Sequence, residues 1–159
     1  MKKLFLVRHA KASLEDPDVL DVQRKITEEG KLQVIEFIKY LKQENITPDL
    51  IVCSNAVRAR QTAQLIAKGL ELPENGVYIE PRIYEENVTF LMETINEVSD
   101  LVQGLMIVGH NPTLSWFASY LSNNPAINLA TCGMFAIEFD IQSWPQIVEA
   151  QGKEIFNHA

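Results

Sequence analysis

Short runs of apolar, β-forming residues alternate along this chain with longer stretches in which apolar positions recur at helical spacing. The runs are LFLV (residues 4–7), LIVC (50–53), VYIE (77–80), LMIVG (105–109) and MFAIEF (134–139), each with the length and composition of a strand. From Thr27, an N-cap by residue type, the positions Leu32, Ile35, Phe37, Ile38 and Leu41 form one apolar stripe. A second helix is predicted from Asn55 through Val57, Ala63, Leu65, Ile66 and Leu70, closed before Pro73. Leu91, Ile95 and Val98 predict a third. Pro112, suited to a first helical turn, opens a fourth with Asn111 as its cap. After the loop QSWPQIVEAQG, the tail KEIF (153–156) is expected to return as an edge strand.

Strand and helix alternate four times, which predicts an α/β three-layer sandwich. Its sheet is mainly parallel, with helices on both faces and right-handed crossovers. The apolar strands read as buried on both faces. No repeat, low-complexity tract or charged tail divides residues 1–159, so one domain is expected. Ligands in such folds gather at the carboxyl ends of the strands.

Composition narrows the field only a little. The apolar fraction of 47% and charged fraction of 22% are those of an ordinary globular chain. No apolar run approaches the ~20 residues of a membrane helix, and the opening MKKLFLVRHAKAS becomes charged too early for a signal peptide. A net charge of -7 argues against general nucleic-acid binding, whose footprint is basic. Cys53 and Cys132 are too few for a disulfide framework or thiolate metal site, and read as buried thiols in a reducing cytoplasm.

The strand ends change the picture. His9 ends the first strand and His110 the fourth, leaving only His158 of the three histidines, in a tail expected to fray. Arg8 adjoins His9, and Arg58 falls on the first turn of the second helix. Arginine offers a planar fork that fits phosphate oxygens and stays charged at any working pH. Helix amino termini after Ser54 and Asn111 would add N–H donors and positive dipole ends. Together these make an anion cradle. Arginines nearby disfavour protonation of a histidine within it, leaving a neutral imidazole able to attack phosphorus. Two histidines without clustered cysteines or carboxylates fall short of a zinc set, so no metal and no cofactor is expected. Arginines can stabilise phosphoryl transfer without magnesium.

The motifs carry a resemblance. LVRHAKAS (6–13) resembles the R-H-G signature of the histidine phosphatase (phosphoglycerate mutase-like) superfamily, in an R-H-A form. SNAVRARQTA (54–63) is similar to its S-x-x-x-R-A-x-Q-T element, IVGHNP (107–112) to its second-histidine motif, and RKITEEG (24–30) to its R-P-L-T-x-x-G helix entry, with Lys25 in place of proline. CGMFAIEFD (132–140) matches the closing strand. The chain is closest in shape to phosphohistidine phosphatases of the SixA type. That resemblance implies His9 as nucleophile, Arg8 and Arg58 as phosphate clamps, and His110 as a further phosphate donor. Ala10 replaces the motif glycine. Glu85, in RIYEENV (82–88), falls where many members carry their proton donor, although some SixA-type proteins lack an acid there.

Length bears on substrate. Only residues 81–104 lie between Glu80 and Leu105, room for one helix and its connections and not for a large cap. A capless pocket is shallow and suits a phosphate held out on another protein. The expected substrate is therefore phosphohistidine on a histidine phosphotransfer or carrier domain, with inorganic phosphate as product. No nucleic acid or membrane partner is expected, and the setting is the cytoplasm. A small-molecule phosphomonoesterase using Glu85 as general acid shares every motif. A mutase and a non-catalytic phosphate-binding module are the lesser alternatives. Lys11 and Arg24 read as solvated charges and Arg60 as a surface residue. Ser54 and Asn111 read as caps, Trp116 and Phe117 as core, and Thr131 simply lies close to the site.

Overall fold

Successive side chains of the first strand go to opposite faces of a sheet, and both sets are buried. In the computed structural model, which describes residues 1–149 and 151–158, strand β1 spans Lys2–Arg8. Leu4 and Leu6, with Leu105 and Ile107, join a cluster containing Leu91, Ile95, Leu114, Phe117 and Trp144. Phe5 and Val7, with Met106 and Val108, pack instead among Val34, Phe37, Leu41, Ala59 and Ile66. A sheet with apolar residues on both faces must be covered twice, and that dictates three layers. Each fully buried side chain of this size contributes about 1.5–3 kcal/mol.

The other strands are β2 (Leu50–Cys53), β3 (Val77–Ile79), β4 (Gly104–Gly109), β5 (Met134–Phe139) and β6 (Lys153–His158). Their order is β3-β2-β4-β1-β5-β6. The first four neighbours run parallel, while β5 lies antiparallel to β1 and β6 antiparallel to β5. Helices α1 (Glu28–Gln43) and α2 (Val57–Gly69) cover one face; α3 (Val88–Asn96) and α4 (Thr113–Ser122) cover the other. The mainly parallel α/β sandwich and the returning tail strand agree with the sequence pattern. No helix among the described residues is long and apolar enough to cross a membrane.

Several local expectations are corrected. In α1, Leu32 and Ile35 are exposed, and the inward set is Gly30, Val34, Phe37 and Leu41, spaced four, three and four apart. Val98 lies beyond the end of α3 but still packs on the core. Strand β3 is a half-exposed edge, because only β2 pairs with it. Helix α2 starts at Val57 rather than Asn55, and Ala56 precedes α2 as Pro112 precedes α4, so neither Ser54 nor Asn111 is a cap. Trp116 is 59% exposed whereas Phe117 is buried. His158 is not frayed: it closes β6 and stacks on Tyr40 with ring centroids 4.0 Å apart.

The start of α1 ties the site loop to the sheet. Thr27 caps the helix as expected, its Oγ1 accepting from the Gly30 N–H at 3.0 Å. Gly30 is required by close approach, since a Cβ there would collide with the Lys11 carbonyl oxygen. The chain just after β1 therefore rests directly on the helix. Parallel β1, β2 and β4 end along one edge, which brings Arg8, Ser54 and His110 together.

Candidate active site

That edge forms the floor of a cleft of about 670 Å³, whose lining includes Arg8, His9, Arg58, His110, Arg24 and Glu85. The four residues singled out at the strand ends thus converge, and Glu85 stands on the same wall as Tyr84 and Glu86.

His9 is held by backbone on every side. Its N–H donates to the Gly109 carbonyl at 3.0 Å, and its own carbonyl accepts from Cys132 N–H at 3.1 Å. Cys132 sits at φ 60, a left-handed position that lets one N–H also reach the Arg8 carbonyl at 3.0 Å. The next residue, Ala10, is buried with its N–H on Thr62 Oγ1 at 3.0 Å, so the methyl that replaces the motif glycine fits. Ring Nδ1 meets the Ala10 carbonyl oxygen at 2.7 Å. A carbonyl only accepts, so Nδ1 carries the proton and Nε2 keeps its lone pair.

The His110 ring lies 5.2 Å from that of His9. Its Nε2 is 2.9 Å from Ser54 Oγ, which also accepts from the Ala56 N–H at 3.1 Å. The serine proton is best used on Nε2, leaving Nδ1–H as a donor. Ser54 is thus a histidine partner as well as a turn residue. Asn111 does not cap; its amide donates to the Leu129 carbonyl at 2.7 Å, and its oxygen accepts from Ser115 Oγ at 2.7 Å. Arg8 Nη1 donates to the same Leu129 carbonyl at 3.1 Å.

Burial, with the charges of Arg58 and Arg8 behind it, pushes the His9 pKa down to about 4 against the Ala10 bond. Burial, then His9 and Arg58, pushes that of His110 to about 3. Both imidazoles are neutral at physiological pH. The thiols of Cys53 and Cys132 are raised by burial to about 11 and about 12 and stay protonated, so neither is a nucleophile.

Three buried polar groups of this cleft have no partner: Arg8 Nε, Arg58 Nε and His110 Nδ1. Buried donors are ordinarily satisfied, and an orphaned one costs about 1–3 kcal/mol. Three such donors on residues that line one cleft, beside a neutral imidazole, suit an anion with several acceptor oxygens, and phosphate is such an anion. Among the described residues no group of three or more His, Cys, Asp or Glu could hold a metal ion.

Sequence reasoning missed Asp21. It lies in a 3-10 turn at Asp21–Gln23, where its backbone carbonyl accepts from Arg58 Nη1 at 2.7 Å and its carboxylate from Arg58 Nη2 at 3.1 Å. The same carboxylate accepts from Arg24 Nε at 3.0 Å and from the Tyr84 hydroxyl at 2.6 Å. The Tyr84 bond first, and Arg58 after it, hold its pKa down to about 2. Asp21 thereby fixes the Nη1/Nη2 end of the Arg58 fork and leaves Nε without a partner. Arg24 is drawn in with it, half-buried and lining the site, which corrects its reading as a solvated charge. Lys11 lines the rim but is paired with Glu29 at 2.6 Å. Arg60 is half-buried with its Nε fully enclosed, not a surface residue. Thr131 lines the cleft and accepts from Gln33 Nε2 at 3.0 Å.

Known proteins are similar to this chain in sequence and in fold. Residues 4–88 match the family model of the histidine phosphatase superfamily (branch 1). An uncharacterized protein of Mycobacterium tuberculosis is 32% identical over 133 residues, covering 84% of this chain and 80% of its own. A SixA protein of Agrobacterium tumefaciens superposes with a TM-score of 0.82 at 24% identity, covering 99% of this chain and 97% of that one. The protein histidine phosphatase SixA, solved with tungstate, gives 0.78 at 18% identity over 99% and 96%. A mycobacterial glucosyl-3-phosphoglycerate phosphatase gives 0.68 at 14% identity over 100% and 99%. At these identities the structural likenesses are likenesses of fold.

Proposed function

Because this chain belongs to the histidine phosphatase superfamily, we propose that it hydrolyses phosphohistidine on another protein through a phosphoryl intermediate on His9. The observation that carries the reading is the pairing of a neutral His9, its Nδ1 proton spent on Ala10, with the three unpartnered donors beside it. In this scheme the lone pair of His9 Nε2 attacks phosphorus. The phosphorus–nitrogen bond of the substrate breaks, and its electron pair stays on the departing imidazole, which is protonated. Water then attacks the same phosphorus. The electron pair of the bond to Nε2 returns to the His9 ring, and inorganic phosphate leaves. Arg8, Arg58 and His110 donate to the equatorial oxygens, where charge builds in the transition state. The scheme uses no metal and no cofactor, and the cytoplasm is the proposed setting.

A protein substrate is favoured by what covers the cleft. The segment between β3 and β4 forms a 3-10 turn at Pro81–Tyr84 and the nine-residue α3, whose Leu91 and Ile95 are buried in the core. Among the described residues this segment builds no cap over the cleft. The second reading, hydrolysis of a small phosphate ester, draws on Glu85, which lines the cleft as an exposed carboxylate. General-acid help matters most to a poor leaving group and is worth roughly 10²–10⁴-fold.

The two readings separate on Glu85→Gln, assayed with a phosphohistidine carrier domain, p-nitrophenyl phosphate and an alkyl phosphate. Phosphohistidine hydrolysis is expected to dominate in the wild type and to be little changed in the variant. If the alkyl phosphate is the better wild-type substrate and loses about 10²-fold in the variant, the enzyme is an esterase with Glu85 as its acid.

A further inference from the structure

The charges of the cleft are sorted by depth. Arg8, Arg58, His9 and His110 form its floor, whereas Glu15, Glu85 and Glu86 line its walls. Asp16 stands beside Glu15 in an adjoining depression that shares Glu15, Asp21 and Arg24 with the cleft. These four acids are exposed and, among the described residues, none is in an ion pair. They come from two segments, the loop after β1 and the turn before α3, which the Tyr84–Asp21 hydrogen bond joins at 2.6 Å. Of the two other lining cations, Lys11 is paired with Glu29 and Arg24 with Asp21.

An acidic rim alone would say little, since exposed carboxylates are usually just solvated. Here an independent feature fixes where a ligand must lie. Arg58 and His110 line the cleft, are more than nine-tenths buried, and each carries a side-chain nitrogen without a hydrogen-bond partner. A phosphate bound there consumes the positive charge of the floor. The part of the substrate just outside it then meets a wall whose unpaired charges are carboxylates, since the lining cations Lys11 and Arg24 are already paired. Such a collar repels a second anionic group near the phosphate and attracts cations. It sits at the surface, where water screens it, but one sign of charge around a cleft still raises the local concentration of its counter-ion.

We propose that the rim of Glu15, Asp16, Glu85 and Glu86 selects a phosphorylated polypeptide whose phosphohistidine is flanked by lysine and arginine. This rests on the phosphohistidine phosphatase reading and adds to it the chemistry of the partner's surface. Multiply anionic small phosphates are poor substrates for the same reason.

The test compares two synthetic peptides of equal length, each phosphorylated on one histidine. One carries Lys and Arg at the flanking positions, the other Glu and Asp. For the wild type at low salt, kcat/KM should favour the basic peptide on the order of tenfold or more. The preference should fade near 1 M salt, where the screening length is about 3 Å. The variant Glu15→Gln/Glu86→Gln should bring the ratio toward one; because the readout is a ratio, a general loss of activity cancels. Equal rates for both peptides, a salt-independent preference, or an unchanged ratio in the variant each overturn the proposal. So does hydrolysis of p-nitrophenyl phosphate with neither peptide turned over. If p-nitrophenyl phosphate is inert as well, the phosphatase reading itself has failed and the rim proposal falls with it.

Discussion

Replacing His9 and His110 together by asparagine should flatten the pH dependence of stability between pH 8 and pH 5. In the folded protein, burial and the neighbouring arginines hold their pKa values at about 4 and about 3; in the unfolded chain each returns to about 6.5. Between those limits the unfolded state carries a proton that the folded state refuses. Stability therefore rises with pH in this window. It is fully present above pH 6.5 and is lost as the pH falls toward 4. At pH 5 the chain is about one and a half units below the unfolded value, and each unit is worth about 1.4 kcal/mol, so each ring forfeits about 2 kcal/mol. The pair forfeits about 4 kcal/mol, a large share of the roughly 5–15 kcal/mol of a typical domain. Other shifted groups do not confuse the comparison. The lowered carboxyls of Asp21, Glu80 and Glu97 titrate below this window, and His158, also lowered by burial, is common to both proteins. Urea unfolding at pH 8 and pH 5, with the slope checked at each, gives the loss for each protein. The wild type should lose about 4 kcal/mol more than the double variant. A difference under about 1 kcal/mol would refute the claim that both rings are neutral and desolvated.

Three further outcomes are expected. Arg58→Ala should lower kcat/KM on the order of 10²–10³-fold, and Arg58→Lys should recover only part of that, because an ammonium lacks the fork that Asp21 orients; full recovery in the lysine variant would show that charge alone suffices. Asp21→Asn should destabilise the protein by about 1–3 kcal/mol, since it leaves the buried Arg58 guanidinium without its counter-charge, and inorganic phosphate should stabilise that variant more than the wild type. Activity should survive exhaustive chelation and be inhibited by orthovanadate, whereas an enzyme revived only by added magnesium would contradict a cleft that works through arginines.

The strands and the gathering of Arg8, His9, Arg58 and His110 at one edge were legible because both are local signals. LFLV and LMIVG are apolar whichever face they turn to, and a residue following a parallel strand is already at the ligand edge. Glu85 was found by its motif position, and the structure brings it to the same cleft. What stayed hidden depends on pairings the pattern cannot encode. Asp21 meets Tyr84 across 63 positions of sequence and meets Arg58 across 37, and nothing in DVQRKIT marks its carboxylate as different from its acidic neighbours. The stripe of α1 was misjudged because Leu32 and Ile35 are apolar yet turn away from Phe37 and Leu41. Asn111 has a cap's residue type, but its amide is taken by Leu129 and Ser115. His158 looked terminal and loose, and only the return of β6 lays it against Tyr40.

The central claim is that His9 Nε2 takes up the phosphoryl group. Brief incubation with a radiolabelled phosphohistidine donor, followed by denaturing quench and peptide mapping, tests it most directly. The label should be acid-labile and alkali-stable, as phosphohistidine is, should map to the peptide containing His9, and should be absent from His9→Ala. Label retained by His9→Ala, or turnover by that variant at the wild-type rate, would contradict it.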